Sequence, residues 1–176
     1  EKLVSVITKE GNEIKGDVFI SNIEPKYTIK MLGDNRLRKS YTNRISNIES
    51  VISAFSVYIV FKPKTFKYIN YNYYHFKDHH KIWTAAEYDE KSWPEGYMVS
   101  MSVKQNADEW AENMTAITYM NYDEVEQWED TFNTVAEKGE RGQTYEAFKA
   151  EKIELMLVEL EKKFPKIRAC IQSIYA

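Results

Sequence analysis

Residues 49–62, ESVISAFSVYIVFK, form the longest apolar run of the chain, and Pro63 follows directly after it. Read as a strand, the run places apolar side chains on both faces, with Val51, Phe55, Val57, Ile59 and Phe61 on one and Ile52, Ala54, Tyr58 and Val60 on the other. This pattern is typical of a strand in the middle of a sheet that is covered on both faces. A helix is the rival interpretation, but the β-branched content and Pro63 favour a strand.

The composition is that of one ordinary globular domain. The 176 residues are 43% hydrophobic and 29% charged, and a chain of this length buries about 70% of its unfolded surface. No window approaches the roughly 18–20 apolar residues of a membrane-spanning helix, and residues 1–13 lead us to expect no secretory signal. The net charge of −3 argues against general nucleic-acid binding. The expected location is the cytoplasm, with peripheral membrane contact as a further option.

Around the apolar run, the sequence predicts short strands and helices in mixed order. Strands are expected at 3–8, 14–20, 70–76, 97–103, 114–120 and 169–175. Helices are expected at 26–32 after Pro25, at about 37–48, at about 122–137 and at 144–164. In the third of these helices, Asn121 is the expected cap and Glu124 completes a capping box. The predicted class is α+β, with a mixed, largely antiparallel sheet and helices packed on one face.

The sequence contains no self-contained active site. Neither glycine-rich phosphate-binding pattern, G-x-G-x-x-G or G-x-x-x-x-G-K-[ST], occurs. His75 and His79 have the i, i+4 spacing of zinc ligands on a helix, but His75 falls in a predicted strand and no cysteine joins the pair. We therefore interpret these two residues, Asp78 and His80 as polar loop residues and expect no metal. Cys170, the single cysteine, lies in the last predicted strand and is expected to be a buried, inert thiol in a reducing compartment.

Aromatic residues make up 14% of the chain, and 13 of them are tyrosines. Rings and thioethers offer polarisable, adaptable contact to a long apolar ligand. The candidates for the wall of such a cleft are Phe55, Tyr58, Tyr68, Tyr71, Tyr73, Tyr74, Phe76, Met98, Met101 and Tyr119. The alternative interpretation is that these side chains simply fill the core and the sheet faces.

Residues 11–25, GNEIKGDVFISNIEP, resemble the pattern dG-x-x-I-x-a-D-x-V-I-S-N-x-d-P of phytoene desaturase-like flavoproteins, a family that includes carotenoid isomerases and retinol saturases. Residues 53–59, SAFSVYI, are similar to the s-x-F-x-v-Y-l strand of that family. Residues 114–120, MTAITYM, and 145–149, YEAFK, resemble its bacterial retinol saturase-like branch. The resemblance extends over nearly the whole chain, although many flavin amine oxidase-type proteins share the first motif.

The resemblance implies a substrate-binding fragment of a larger FAD-dependent oxidoreductase. Members of the family begin with a dinucleotide-binding strand-turn-helix and end with a second FAD-contacting segment, and neither motif is found in this sequence. Residues 1–25 would be a strand pair bordering the FAD domain, and residues 26–176 would be the substrate-binding domain. FAD would be bound only in the full-length protein, with NAD(P) as an optional second cofactor.

The substrate that the resemblance implies is a polyene, carotenoid or retinoid-like apolar molecule, which is desaturated, saturated or isomerised. The residues expected to bind it are Phe55, Tyr58, Met98, Met101 and Tyr119. The residues expected near the cofactor are Ser21, Asn22 and Pro25. The expected partners are this substrate and the FAD-binding domain of the same chain. Strand parity alone does not tell whether Phe55 or Tyr58 faces the substrate.

Two functions from other classes stay open at this point. A stand-alone carrier of an apolar ligand would use the same aromatic cleft but has no need of the 11–25 motif. A protein-interaction domain would use the segment 105–137, which holds nine acidic residues and no lysine or arginine.

Overall fold

The computed structural model describes residues 2–33, 36–48, 53–103, 109–131 and 141–176, and the chain divides into two compact units, residues 1–49 and residues 50–176. In the first unit, β1 (Ser5–Ile7) pairs antiparallel with β2 (Glu13–Lys15). Gly11 between them has a φ of 84°, a conformation that suits glycine. Two short helices follow, α1 (Pro25–Leu32) and α2 (Lys39–Ser46).

The second unit contains the strands β3 (Ser53–Phe61), β4 (Tyr73–Phe76), β5 (Gly96–Ser102), β6 (Asn113–Met120) and β7 (Ile171–Tyr175). They form one sheet in the order β4-β5-β6-β3-β7, and all neighbours are antiparallel. The helices α3 (Gly142–Lys163) and α4 (Ile167–Cys170) precede β7. Short 3₁₀ stretches cover His79–Thr84, Glu90–Ser92, Tyr122–Glu124 and Glu126–Trp128. The predicted α+β class is confirmed.

The hydrophobic core of the second unit lies on one face of this sheet, where α3 packs. Val57 and Ile59 of β3 are completely buried, as are Met114 and Ala116 of β6, because alternate residues of a strand point to the same side. The helix contributes Met156, Leu157 and Leu160 to the same cluster. We call this the covered face of the sheet; its other strand residues in the core include Phe55, Phe61, Tyr97 and Val99.

The prediction that β3 is covered on both faces is wrong for the described part of the strand. As predicted, β3 has a neighbour on each side, but its second face carries Ala54 and Tyr58, which are exposed. Aromatic and β-branched residues are enriched on strands with one covered face as well as on strands with two. The apolar residues on both faces of β3 therefore led to a prediction of more burial than the second face has. Residues 49–52 lie outside the described residues.

The helix predicted over 122–137 is absent from its described part, residues 122–131, which form the two 3₁₀ stretches. The Asn121 side chain makes no capping hydrogen bond. Instead of completing a capping box, the Glu124 carboxylate binds the Lys152 ammonium and accepts a hydrogen bond from the Tyr88 hydroxyl. A contact between distant segments thus replaces the local one that the sequence predicts. Residues 132–140 lie outside the described residues.

Several element boundaries also differ from the predictions. The strand predicted at 14–20 is limited to Glu13–Lys15, and Val18 and Ile20 are exposed. Cys170 ends α4 rather than lying in the last strand. The two compact units meet in the sequence at residue 49. The boundary expected at residue 25 is a different one, between an FAD domain and the substrate-binding domain, and it stays a prediction. None of the helices in the described residues has both the length and the apolar character needed to cross a membrane.

A buried ion pair joins α3 to the segment that follows β6. The side chains of Lys152 and Glu124 are each 7% exposed, and the Lys152 ammonium lies 4.4 Å from the centroid of the Trp93 ring. The Tyr88 hydroxyl donates to Glu124 and accepts from the backbone N–H of Asn121 at 2.6 Å. Burial and the Glu124 carboxylate raise the pKa of Tyr88, so the phenol stays protonated as a donor.

Replacing Lys152 with Met should lower the free energy of unfolding by about 3–5 kcal/mol, because Glu124 is left buried without its counter-charge. The control is Lys149→Met on the same helix, whose partner Glu146 is about half exposed and whose ion pair should contribute about 0–1 kcal/mol. Denaturant-induced unfolding measures both variants. Equal losses in the two variants would contradict the role assigned to the buried pair.

Candidate functional site

The second face of the sheet, which we call the open face, carries exposed and half-buried side chains. Its apolar members are Ala54, Tyr58 and Val60 on β3, Tyr74 and Phe76 on β4, Met98 on β5, Ile117 and Tyr119 on β6, and Tyr175 on β7. None of the five strands contains an aspartate, glutamate, lysine or arginine. An antiparallel sheet with one solvated face ordinarily alternates apolar and polar residues. Here the polar residues of the open face, among them Ser56, Ser100 and Thr115, are uncharged, and rings and a thioether lie beside them.

A groove of about 210 Å³ runs over part of the open face. Its lining consists of Ala54, Tyr74, Phe76, Gly96, Tyr97, Met98, Ile117, Thr118 and Tyr119. Met98 of β5 is directly opposite Ile117 of β6, and Tyr74 of β4 is directly opposite Met98 on its other side. The groove therefore crosses β4, β5 and β6 and reaches Ala54 on the adjacent β3, with rings beside an apolar floor.

Gly96 gives the groove part of its depth. It pairs with Phe76 across β4 and β5, and a Cβ atom at position 96 would lie 2.6 Å from a ring carbon of Phe76 and 2.9 Å from the backbone oxygen of His75. The Phe76 ring thus packs against bare backbone. On the covered face, Thr118 donates to the Gly96 carbonyl at 2.6 Å and the Trp93 indole donates to the Tyr119 carbonyl at 2.8 Å. These two bonds hold the backbone of the groove from beneath.

The structure brings some of the predicted substrate-binding residues together and separates others. Met98 and Tyr119 line the groove. Tyr58 is on the same face but outside the groove, and it stacks on Tyr175 with ring centroids 5.6 Å apart. Phe55 is on the covered face, edge-on to Trp93 at 5.6 Å, and Met101 packs against the core. Strand alternation separates the two sets, because odd-numbered and even-numbered residues of a strand point to opposite sides.

Five residues of the groove lining lie outside the predicted cleft, namely Ala54, Gly96, Tyr97, Ile117 and Thr118, whereas Tyr74 and Phe76 belong to its wider set of aromatic candidates. Neither a small residue nor a lone isoleucine stands out in a search for rings and thioethers. The signal that could have found them is the register of the sheet, which aligns Gly96 with Phe76 and Ile117 with Met98.

The residues expected near the cofactor lie in the first unit. The Ser21 and Thr28 hydroxyl oxygens are 2.6 Å apart, Pro25 is the first residue of α1, and Asn22 is exposed. Proline at this position suits a helix start, since its missing N–H would have no partner inside the helix. These contacts fix the beginning of α1, and the role of the three residues towards FAD stays a prediction.

A second hollow, of about 430 Å³, lies beside the end of α3 and is lined by residues that include Phe66, Phe164 and three lysines. The Cys170 thiol at this hollow donates to the Thr65 carbonyl at 3.3 Å and is buried, as predicted. Lysines at a helix C-terminus interact favourably with the helix dipole, which accounts for Lys163 without a ligand. The hollow therefore gives no independent sign of function.

The groove on the open face has the chemistry of a binding site. Among the described residues, its lining contains no carboxylate, imidazole, ammonium, guanidinium or thiol. General acid–base and nucleophilic catalysis use the groups that are missing from this lining far more often. The lining is thus suited to contact with an apolar molecule.

Replacing Gly96 with Ala should lower the free energy of unfolding by about 1–3 kcal/mol, because the new methyl group meets backbone as well as the Phe76 ring. Ser100→Ala on the same strand is the control and should be close to neutral, since it only removes atoms from a half-buried position. Denaturant-induced unfolding tests the pair. A Gly96→Ala variant as stable as Ser100→Ala would show that Phe76 does not pack as described.

Comparisons of the chain with protein-family models, with curated proteins and with solved structures found no match. The features of the chain that bear on function are therefore the groove and the motif at residues 11–25.

Proposed function

We propose that this chain is the substrate-binding part of an FAD-dependent oxidoreductase that desaturates, saturates or isomerises a polyene, carotenoid or retinoid-like substrate. The observation that carries the proposal is the apolar groove on the open face, whose described lining consists largely of rings and aliphatic groups with one thioether and contains no charged side chain. The motif at residues 11–25 supports the assignment to a flavoprotein rather than to another class of apolar-ligand protein.

The fit of an extended apolar ligand follows from the residues that line the groove. Met98 and Ile117 supply a floor, and the rings of Tyr74, Phe76 and Tyr119 stand beside it. Each 100 Å² of apolar ligand surface that leaves water in this groove contributes about 2.5 kcal/mol. Offset stacking of a conjugated chain on these rings adds to that contribution.

The described residues do not fit FAD on their own. The groove lining offers no cation for a pyrophosphate, and the sequence has no glycine-rich phosphate loop. We therefore assign FAD, and NAD(P) where it takes part, to another part of the same protein. The flavin would supply the redox chemistry when bound, and this chain would bind the substrate, orient it and keep water from it.

Replacing both Tyr119 and Met98 with Ala should weaken the binding of all-trans-retinol or a carotenoid about tenfold or more, since a loss of about 1.4 kcal/mol already gives that factor. The ligand's own absorbance, followed during titration, measures the affinity. Tyr175→Ala is the matched control, because Tyr175 is a tyrosine on the same face but outside the groove. If Tyr175→Ala weakens binding as much as the double variant does, the groove is not the binding site.

The natural protein, expressed from its uninterrupted reading frame, distinguishes the oxidoreductase from the carrier. We expect the visible absorbance of bound flavin, and groove variants that raise KM while they keep the flavin. A colourless protein that binds the polyene tightly would overturn the oxidoreductase and favour the carrier. Partner binding with a steep salt dependence, lost on neutralising acids in 109–131, would instead favour the protein-interaction domain.

Peripheral membrane contact is the second part of the proposal, and Trp83 supports it. This side chain is 95% exposed, and its neighbour Ile82 is 40% exposed. Both lie in the 3₁₀ stretch that follows β4, together with Lys81. Tryptophan is favoured at the boundary between lipid and water, where its ring is buried and its N–H stays hydrated. A membrane contact here would place the chain beside the phase in which polyenes dissolve.

Trp83→Ala should reduce co-sedimentation with vesicles of phosphatidylcholine and phosphatidylglycerol about tenfold, because burial of the ring at the interface contributes more than about 1.4 kcal/mol. Tyr175→Ala serves again as the control, since it removes an exposed ring from the sheet instead of from the turn. Wild-type protein that stays in the supernatant, or a Trp83→Ala variant that sediments like wild type, would exclude this contact.

A further inference from the structure

Asp78, His79 and His80 lie together where β4 passes into the 3₁₀ stretch His79–Thr84. One ligand atom of each residue, a carboxylate oxygen and two imidazole nitrogens, lies within 4.8 Å of the other two. The two imidazole rings have centroids 3.9 Å apart and are tilted by 41°. The turn therefore gathers three metal-binding side chains at one point.

The backbone of the turn holds this arrangement. One oxygen of the Asp78 carboxylate accepts a hydrogen bond from the backbone N–H of His80 at 2.9 Å, which fixes the carboxylate at the start of the stretch and leaves its second oxygen available. Both histidines are exposed. Among the described residues, no hydrogen bond ties either imidazole to another group. The two imidazoles are thus accessible to an ion from solvent, and the half-buried Asp78 holds its carboxylate beside them.

The separations are close to what a bound ion requires. Zinc binds nitrogen and oxygen ligands at about 2.0–2.2 Å, so two ligand atoms in a tetrahedral site are about 3.3 Å apart. Donor atoms within 4.8 Å of one another approach that spacing when the exposed histidine side chains rotate.

We propose that Asp78, His79 and His80 form a surface site for a divalent transition-metal ion of the zinc class. Two imidazole nitrogens and one carboxylate oxygen are the donors that such ions prefer, whereas magnesium and calcium prefer oxygen ligands throughout. Three protein ligands leave a coordination position for water or for an external ligand. Because the same turn carries Trp83, the ion would also brace the segment that holds this exposed ring.

This site differs from the histidine pair that the sequence suggested. His75 lies on β4, half-buried, with its ring 5.0 Å from that of Tyr97, and it is not a member of the cluster. The i, i+4 interpretation required a helix through residue 75, and a strand is found there. The third donor comes instead from Asp78, directly before the two adjacent histidines. His75 therefore provides a control inside the same molecule.

The first experiment is a zinc titration of the tag-free full chain, followed by NMR of the histidine rings. The chain has three histidines, so three sets of ring resonances are expected. Addition of one equivalent of zinc should shift the resonances of His79 and His80 and leave those of His75 unchanged. Three sets that all shift alike, or none that shifts, would overturn the proposal.

Calorimetry of variants provides the second experiment. Wild type and His75→Gln should bind one zinc ion per chain, whereas His79→Gln and His80→Gln should each bind at least tenfold more weakly. Asp78→Asn should also weaken zinc binding. The asparagine side-chain oxygen can still accept the hydrogen bond from the His80 N–H, so the turn is kept. A loss of affinity in this variant therefore reports the loss of the carboxylate as a zinc ligand. Unchanged affinity in the His79 and His80 variants would show that zinc binds elsewhere. Should His75→Gln fail to fold, the NMR result on wild type decides.

Discussion

Helix α3 packs on only one face of a five-stranded sheet whose strands carry apolar side chains on both, and this asymmetry shapes the rest of the second unit. Met156, Leu157 and Leu160 bury one set of strand residues. Since neighbouring residues of a strand point to opposite sides, each buried side chain is followed by one that the helix does not reach. The open face and its groove are therefore formed by the strand residues that alternate with those of the core. The core and the proposed binding groove therefore lie on opposite sides of the same strands.

Hydrophobic periodicity is sufficient to predict β3, β5, β6 and α3, because each carries a long apolar repeat. It fails where the deciding contact joins distant segments. The acidic first turn of the helix predicted at 122–137 looks like a local helix start, but Glu124 binds Lys152 of α3. A single sequence carries no sign of that pairing. The 3₁₀ stretches are equally hard to predict, since their few residues have no apolar period.

The candidate site is predictable in kind but not in detail. The abundance of tyrosine and methionine indicates an apolar cleft. Phe55 and Tyr58 lie on opposite faces of β3, and either could line the cleft until it is known which face packs against α3. Gly96 matters only because it is opposite Phe76, and that register is a property of the folded sheet. The motif at residues 11–25 belongs to the other unit, so the flavoprotein assignment and the groove are independent arguments. Neither selects among reactions, because one architecture serves several chemistries.

The strand order has a consequence for how the chain reaches this structure. Strand β3 pairs residue 58 with residue 175, so the sheet gains its last strand only when the chain has been made as far as β7. Closing so long a loop costs conformational entropy before any contact offsets it. During synthesis, β3, β5 and β6 leave the ribosome before α3, with their future core residues still uncovered. The newly made chain thus passes through a period in which both faces of the sheet are exposed, when chaperone binding and aggregation compete with folding.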